Sequence, residues 1–151
     1  MKKIRYRKNV AFILRREEGL ILICERGDRP GSWQFPQGGV KSSETPELAL
    51  VREVIEEISL HPEHYEIIEK RDSYRYEFRG NYKKDGFSGQ DQTYFLAHAK
   101  DIAHNHLRVD GREFRAMRWI KPHEFQLDWV SSIKRNVYQQ VFLDFFGVEL
   151  K

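Results

Sequence analysis

The chain of 151 residues is 40% hydrophobic and 13% aromatic, with a formal net charge of +3 at pH 7. These proportions exclude a disordered chain and predict one domain over residues 1–151. No apolar run approaches the roughly 20 residues that cross a bilayer, so we expect no membrane partner. The single cysteine, Cys24, excludes an internal disulfide and favours a reducing, cytoplasmic location.

The first eight residues are strongly basic. They include Lys2, Lys3, Arg5, Arg7 and Lys8. A basic surface suits a polyanionic substrate or nucleic acid, although the same cluster would also serve as a solubilising tail. A basic start is also found in signal peptides, but the apolar run 9–14 is shorter than an h-region of about 7–15 residues. We therefore expect no leader peptide.

The next elements predict a β-hairpin. Two apolar runs rich in β-branched residues, 9–14 and 20–24, flank a turn at 15–19 that ends in glycine. Cys24 lies in the second run, and we interpret it as a core residue. Residues 27–31, which include Pro30, form a loop.

A helix is predicted from Thr45 to about Ile58, because Thr45 is a suitable N-cap and Pro46 a suitable first residue. At about 100° per residue, one face of this helix is apolar and the other carries carboxylates. The expected apolar face comprises Leu48, Val51, Ile55 and Ile58. The nearly opposite face comprises Glu53, Glu56 and Glu57, with Arg52 to one side, where it can hold a carboxylate.

The carboxylate face is costly, since like charges three and four residues apart repel one another by a few tenths of a kcal/mol. A multivalent cation would offset this repulsion, and Mg²⁺ takes oxygen ligands and usually binds together with substrate phosphates. Gly38 and Gly39 precede the helix and allow a close backbone approach, so that a main-chain carbonyl can join the metal. The alternative is the solvated face of an amphipathic helix, which is what most such clusters are.

The second half of the chain alternates strands and loops before a final helix. Residues 65–78 are strand-like, 79–89 form a loop with an Asp85–Gly86 turn, and 92–99 and 115–120 are further strands. The final helix is predicted to begin near Ser131–Ser132 and to end at Gly147. We interpret its aromatic residues, Tyr138, Phe142 and Phe146, as core. Strands with two long helices predict an α/β fold with a mixed sheet between helical layers.

The stretch Gly38–Leu60 fits the Nudix box, G-x5-E-x7-R-E-U-x-E-E-x-G-U, in which U is aliphatic. The matching residues are Gly38, Glu44, Arg52, Glu53, Val54, Glu56, Glu57 and Leu60. Ser59 stands where the family has the glycine of a left-handed helix end, a conformation that serine adopts at a cost of about 1 kcal/mol. The chain therefore resembles a Nudix hydrolase.

The resemblance implies the Nudix fold, an α/β/α sandwich with a mixed β-sheet, and metal-assisted attack of water on a nucleoside diphosphate linked to another group. It implies Mg²⁺ as the cofactor, with Mn²⁺ able to substitute. The implied metal ligands are Gly38, through its carbonyl, and Glu53, Glu56, Glu57 and Glu113. The implied catalytic residues are Arg52, which orients Glu53, with Glu53, Glu57 and Glu113. Either Glu53 or a carboxylate outside the box is then the base.

Flanking segments are similar to one branch, the bacterial RNA 5′-pyrophosphohydrolases and the related dinucleoside polyphosphate hydrolases. These segments are WQFPQGG at 33–39, GQDQTYFL at 89–96, EF-x-x-x-RW at 113–119 and KR-x-VY at 134–138. The resemblance implies an RNA 5′ end or a dinucleoside polyphosphate such as diadenosine tetraphosphate as the binding partner, and nothing indicates an obligate protein partner. The implied substrate-binding residues are Arg7, Gln37, Tyr76, Gln92 and Lys134.

Two departures bear on the substrate. Ile133 stands where some RNA pyrophosphohydrolases have a stacking phenylalanine, which relaxes base preference, since stacking contributes about 1–3 kcal/mol per base. Lys8 replaces a proline and adds a charge that favours a phosphate-rich partner. Considered alone, Tyr76 is equally a half-buried strand residue, Glu113 a surface carboxylate and Lys134 a solvated cation at a helix start.

Three functions fit the sequence. The first is an Mg²⁺-dependent hydrolase that removes pyrophosphate from 5′-triphosphorylated RNA or splits dinucleoside polyphosphates. The second is a hydrolase of small nucleotides only, such as a cleaner of the nucleotide pool. The third is a binding module without turnover, which the intact carboxylate cluster argues against.

Overall fold

A computed structural model describes residues 3–151 of the chain. It contains seven β-strands and two α-helices, joined by short 3-10 turns. The strands are β1 (Tyr6–Arg15), β2 (Ile21–Arg26), β3 (Trp33–Gln34), β4 (Gln37–Gly39), β5 (Tyr65–Glu77), β6 (Gly89–Ala99) and β7 (Phe114–Ile120). The helices are α1 (Pro46–Ile58) and α2 (Arg135–Phe146).

The strands form one mixed sheet in the order β3-β2-β1-β6-β5, with β4 also paired to β1 and β7 to β2. The β1 and β6 strands are parallel, whereas the other pairs are antiparallel. The predicted hairpin is confirmed at its closed end, where Arg15 pairs with Ile21. The two strands then separate, and β4 pairs with residues 9–11 of β1.

The alternation of β1 supplies two cores, one on each face of the sheet. Val10 and Phe12 face the core that contains Val54 and Ile58 of α1. Ala11 and Ile13 face the second core, to which α2 contributes Val137, Tyr138, Val141 and Phe142. Because successive strand residues point to opposite faces, this arrangement needs a helix on each side. The predicted α/β/α sandwich is confirmed.

The ends of α1 agree with the prediction. The Leu48 N–H donates to the Thr45 hydroxyl at 3.2 Å, and Pro46 occupies the first turn. Ser59 ends the helix in the left-handed conformation at φ 63°, and its N–H donates to the Ile55 carbonyl. The serine therefore adopts the conformation for which the family uses glycine, and the local helix end is preserved.

The predicted apolar face of α1 is only partly correct, since Ile58 is buried as predicted but Leu48 is not, and Val51 and Ile55 are half-buried. Leu48 is 58% exposed, whereas the buried residues are Ala49, Leu50, Val54, Glu57 and Ile58. The centre of the inner face is therefore rotated by roughly 115° from that of the predicted one, given about 100° per residue. This rotation turns Glu57 into the protein, although the pattern placed it on the solvent side.

The start of α2 differs slightly from the prediction. A 3-10 turn at Ser132–Lys134 precedes the helix, and the Ser131 side chain makes no capping hydrogen bond. Gly147 ends α2 at φ 65°, as predicted. The core interpretation of Tyr138 and Phe142 is confirmed, because both are buried and stack on Phe35 with centroids 5.6 and 5.7 Å apart.

Over residues 3–151, neither helix has the length and apolarity to span a membrane. The residues Met1 and Lys2, part of the basic N-terminal cluster, lie outside the described residues. Cys24 is fully buried in the first core, as predicted.

Phe142→Ala is expected to lower the free energy of unfolding by about 3–5 kcal/mol, because it leaves a cavity among fully packed aromatic rings. Leu143→Ala on the same helix is the matched control, since Leu143 is 50% exposed. Urea unfolding monitored by circular dichroism measures both variants. Equal losses for the two would contradict the placement of the second core.

Candidate functional site

One cleft of about 1330 Å³ gathers most of the predicted site residues. Its lining includes Gly38, Glu53, Glu56, Glu57 and Glu113 from the predicted metal set, and Arg7, Gln37, Tyr76 and Lys134 from the predicted substrate set. These residues come from β1, β4, α1, β5, the loop before β7 and the turn before α2. The volume suits a ligand larger than most drug-sized molecules, whose pockets measure roughly 300–1,000 Å³.

Arg52 does not line the cleft but holds the carboxylates that frame it. Its Nε and Nη2 donate to the Glu44 carboxylate at 2.7 and 2.9 Å, and its Nη1 donates to Glu53 Oε1 at 2.7 Å. Nη2 also donates to the Gly39 carbonyl at 2.9 Å. The Arg52 guanidinium lowers the pKa of Glu44 to about 2, so Glu44 stays ionised and anchors the arginine.

The two glycines of β4 make room for two charged side chains. A Cβ added at Gly38 would overlap the Glu53 carboxylate, and one added at Gly39 would overlap the Arg7 guanidinium. Any larger residue would therefore displace a carboxylate at the first position and a cation at the second. Glycine is required here by the close approach of side chains rather than by its own backbone conformation.

Glu57 is the most unusual group in the cleft, because only 2% of its surface is exposed. Its Oε2 accepts the Gln37 N–H at 3.2 Å, while Oε1 is buried and has no hydrogen-bond partner among residues 3–151. Burial raises the pKa of Glu57 strongly, and the neighbouring carboxyl groups of Glu53 and Glu113 raise it further. Without a cation, this carboxyl is therefore held in its protonated form.

Glu113 enters the cleft from the loop before β7. Asp110 orders this loop, since its carboxylate accepts the N–H groups of Arg112, Glu113 and Phe114 at 3.1, 3.2 and 3.0 Å. The Glu113 carbonyl accepts the Gly27 N–H at 2.8 Å, which ties the loop to the end of β2. Burial and the charges of Glu53 and Asp110 raise the pKa of Glu113.

The donor set fits a hard divalent cation such as Mg²⁺ or Mn²⁺. The site offers carboxylate oxygens, and one of them, Glu57 Oε1, is buried without a partner. Oxygen ligands are the ones that these cations prefer. Within the described chain, no three His, Cys, Asp or Glu side chains already converge as a ligand set. Glu53 is turned onto Arg52 and Glu56 is 57% exposed, so cation binding requires rotation of these side chains.

Lys134 lines the same cleft from the turn before α2, close to Gln34, whose Oε1 is 3.5 Å from the ammonium nitrogen. Burial, assisted by the charges of Arg26 and Arg29, lowers the pKa of Lys134 to about 8. A half-buried ammonium without a carboxylate partner favours binding of an anion. The alternative of a solvated cation at a helix start does not fit this burial.

One predicted substrate-binding residue needs correction. Gln92 does not line the cleft, because its side chain is buried and its Nε2 donates to Asn9 Oδ1 at 2.8 Å. Gln90, two residues earlier on the same face of β6, lines the cleft instead. Lys8 lies outside the cleft lining, with its Nζ 3.1 Å from Asp91 Oδ2 and its side chain 72% exposed.

Several cleft residues were missed by the sequence reasoning. They are Arg26, Arg29, Phe78, Arg79, Tyr82, Lys84, Asp110 and Arg112. The Asp110–Gly111 pair is a turn signal that could have located the loop of Glu113. The cations carry no comparable signal, since isolated arginines and lysines are ordinary surface residues.

Comparison with known proteins identifies the family of the chain. The family model described as the NUDIX domain matches residues 5–141. The chain is 31% identical over 153 aligned positions to the RNA pyrophosphohydrolase of Zymomonas mobilis, covering 96% of this chain and 97% of the relative.

Two solved structures share the fold at low sequence identity. A Caenorhabditis elegans Ap4A hydrolase in a binary complex superposes with a TM-score of 0.67 at 17% identity, covering 94% of this chain and 99% of that one. The dihydroneopterin triphosphate pyrophosphohydrolase of Escherichia coli gives 0.65 at 18% identity, with the same coverage of 94% and 99%. The matched family domain, the Z. mobilis relative and the shared fold show that the chain belongs to the Nudix family.

Proposed function

We propose that the protein is an Mg²⁺-dependent hydrolase of phosphoanhydride bonds that acts on 5′-triphosphorylated RNA and on dinucleoside polyphosphates. With RNA, water adds across the bond between the α- and β-phosphates, which releases pyrophosphate and leaves a 5′-monophosphate end. The observation that carries this proposal is one cleft lined both by a cluster of carboxylates and by several cations. The similarity to the Z. mobilis RNA pyrophosphohydrolase supports the choice of RNA.

The carboxylates that line the cleft would hold the cation. Its ligands would be the Gly38 carbonyl with Glu53, Glu56, Glu57 and Glu113. When bound, Mg²⁺ supplies charge neutralisation on the phosphates and polarisation of the attacking water. Arg52 fixes the position of Glu53, whose carboxylate lies against Gly38. Either Glu53 or Glu113 would accept the proton from water, and the raised pKa of Glu113 suits that role.

The cations that line the cleft would bind the phosphates, and the neighbouring polar and aromatic residues would bind the nucleoside. The Arg7 guanidinium and the Lys134 ammonium would pair with the phosphates, and the side-chain amides of Gln37 and Gln90 would form hydrogen bonds with the substrate. Gln37 Oε1 and Gln90 Oε1 are buried and lack hydrogen-bond partners over the described range 3–151. The Tyr76 side chain, 8% exposed, lines the cleft from β5. These groups would orient the substrate against the carboxylates.

The number of free cations favours a long polyanion. Among residues 3–151, six cleft-lining cations form no ion pair with a carboxylate. They are Arg7, Arg29, Arg79, Lys84, Arg112 and Lys134. Unpaired cations concentrated in one cleft attract polyphosphates and nucleic acid backbones. A substrate that continues beyond its terminal phosphates, such as RNA, would use more of them than a small nucleotide would.

Some predictions from the sequence extend this proposal. Substitution of Mn²⁺ for Mg²⁺ fits the same oxygen ligands. The cytoplasmic location, which rests on the single cysteine, stays a prediction, as does one domain over residues 1–151.

Glu57→Gln and Glu53→Gln are each expected to lower kcat at least about a hundredfold, since a lost ligand weakens charge stabilisation worth several kcal/mol. Pyrophosphate release from triphosphorylated RNA with Mg²⁺ measures the effect, and circular dichroism checks the fold. Glu47→Gln is the matched control on α1, because Glu47 pairs only with Lys70 at the surface. Wild-type rates in both active-site variants would refute the metal assignment.

Triphosphorylated RNA is expected to have a higher kcat/KM than diadenosine tetraphosphate when the two are offered in parallel. The additional phosphates of RNA can reach cations that a dinucleotide leaves unused. Measurements at two salt concentrations should also show a steeper loss of RNA turnover at high salt. Fast cleavage of the dinucleotide beside negligible RNA turnover would favour the small-nucleotide alternative, and no turnover of either would favour a binding module.

The pH dependence of kcat/KM is expected to follow the protonation state of Lys134. Its pKa of about 8 in the fold means that kcat/KM falls above about pH 8, as the ammonium loses its proton. Lys134→Arg keeps the charge at all working pH values and should move this loss to higher pH.

Since the pKa of Lys134 is lowered on folding, this side chain binds more protons in the unfolded chain than in the folded one between about pH 8 and 10.5. The contribution of Lys134 to stability without substrate should therefore rise with pH across that window, whereas the raised pKa of Glu57 contributes in the opposite direction. The difference in unfolding free energy between the native chain and Lys134→Met isolates the Lys134 contribution, and this difference should change in favour of the native chain between about pH 8 and 10.5.

A further inference from the structure

The segment of residues 78–88, which we call the rim segment, forms one edge of the cleft between β5 and β6. Its ends are joined by the Phe78 N–H, which donates to the Ser88 carbonyl at 2.8 Å. Lys84 and Phe87 exchange backbone hydrogen bonds of 3.0 and 2.9 Å around the Asp85–Gly86 turn. Arg5 packs over the Phe87 ring at 4.9 Å. These contacts order the segment before any ligand binds.

Three aromatic rings run from the core to the edge of the cleft. Tyr76 is buried, and its ring meets Phe78 edge-to-face at 6.1 Å between centroids. Phe78 meets Tyr82 in the same way at 5.4 Å, with an angle of 82° between the rings. Tyr82 is 62% exposed although it lines the cleft. An exposed ring that is backed by a second, partly buried ring is a surface on which a planar group can stack.

The part of the cleft lining that comes from the turn before α2 offers no such stacking surface. Ile133 and Ser132 line the cleft from the turn before α2, and the Ser132 hydroxyl contacts the Arg79 guanidinium across the gap. The remaining aromatic residues of the lining, Tyr76 and Phe114, are 8% and 1% exposed. Within the described cleft, Phe78 and Tyr82 are therefore the aromatic groups with surface available to a ligand.

Cations flank the two rings. Arg79 lies between Phe78 and Tyr82 in sequence, and Lys84 follows two residues after Tyr82. Lys84 lines the same cleft as Glu113 and Lys134. Stacking rings beside unpaired cations are the combination that binds a nucleobase together with its phosphates.

We propose that Phe78 and Tyr82 form a stacking subsite for a nucleobase whose attached phosphates are neutralised by Arg79 and Lys84. The proposal rests on the proposed function, because the phosphate chain of the substrate, once bound in the cleft, would bring the base to the rim segment. Stacking tolerates any base, so this subsite should add affinity without strong sequence preference. An RNA 5′ end and a dinucleotide both present the required base next to a phosphate chain.

Binding is tested in the Glu57→Gln background, where turnover does not interfere. The probe is a short 5′-triphosphorylated RNA with 2-aminopurine as its first base, and a second RNA carries it at the second position. We expect stacking to quench the fluorescence of one of the two probes. Tyr82→Phe should keep the quenching, whereas Tyr82→Leu and Tyr82→Ala should lose it. Quenching that survives Tyr82→Leu unchanged would overturn the stacking role.

Turnover is tested with Tyr82→Leu and Tyr82→Phe in the otherwise native chain. The substrates are triphosphorylated RNA, the same RNA with an abasic first or second nucleotide, and diadenosine tetraphosphate. Tyr82→Leu should raise KM about tenfold for substrates that carry the stacked base, and leave KM unchanged when that base is removed. Leu48→Ala is the control, because Leu48 is exposed on α1 and does not line the cleft.

The outcomes separate this proposal from the proposed function. Wild-type hydrolysis of any of these substrates with Mg²⁺ supports the function, whatever Tyr82 does. An equal rise in KM for normal and abasic RNA would overturn stacking and indicate a loss of general cleft structure. A rise confined to diadenosine tetraphosphate would assign the subsite to the base of a dinucleotide, whereas a rise confined to RNA would assign it to the transcript.

Discussion

The burial of the Glu57 carboxyl is the constraint on which the rest of the structure depends. An isolated carboxylate in a protein interior costs several kcal/mol, so it must be neutralised by a proton or by a cation. Glu57 has one hydrogen bond, from the Gln37 N–H, and one buried oxygen without a partner among the described residues. A fold that keeps such a group must gain something from it, and a strong oxygen ligand for a hard cation is the simplest gain.

This constraint also bears on the other charges around the cleft. Arg52 binds both Glu44 and Glu53 and thereby fixes the position of the Glu53 carboxylate. Lys134 is held in a half-buried position that lowers its pKa to about 8. Burial acts in opposite directions on the two kinds of group, since it raises the pKa of the Glu57 and Glu113 carboxyls and lowers that of the Lys134 ammonium. In each case an opposite charge, a cation for the carboxylates or an anion for the ammonium, would favour the charged form.

The ends of α1 were predictable from sequence because they depend on local chemistry. Thr45, Pro46 and Ser59 satisfy or end backbone hydrogen bonds within a few residues. The rotation of α1 was not predictable, since Leu48 and Val54 are both apolar and the packing of α1 against β1 and β4, which accompanies burial of Val54, cannot be read from the helix sequence. Likewise, Gln90 and Gln92 share one strand face, and the parallel pairing with β1 decides which of them reaches the cleft.

The site residues were largely predictable where a motif fixes them, as in Gly38, Glu53 and Glu57. The cations Arg29, Arg79 and Arg112 were not, because their convergence depends on three separate loops. Glu113 illustrates an intermediate case, since the family pattern indicates the residue while Asp110 determines where it lies.

The splitting of β1 from β2 has a consequence for how this protein can change. β4 pairs with β1 so that Gly39 lies opposite Asn9, and β6 pairs with it so that Gln90 lies opposite Arg7. The β1 strand therefore sets the positions of the cleft residues that these two strands contribute. A slip of one residue in β1 would turn Arg7 to the opposite face, which leaves this strand no tolerance for insertions. The loop between β5 and β6 sets no such register and can vary in length without moving a single carboxylate. Related chains can therefore diverge in what they recognise at that edge while the bond-breaking chemistry stays the same.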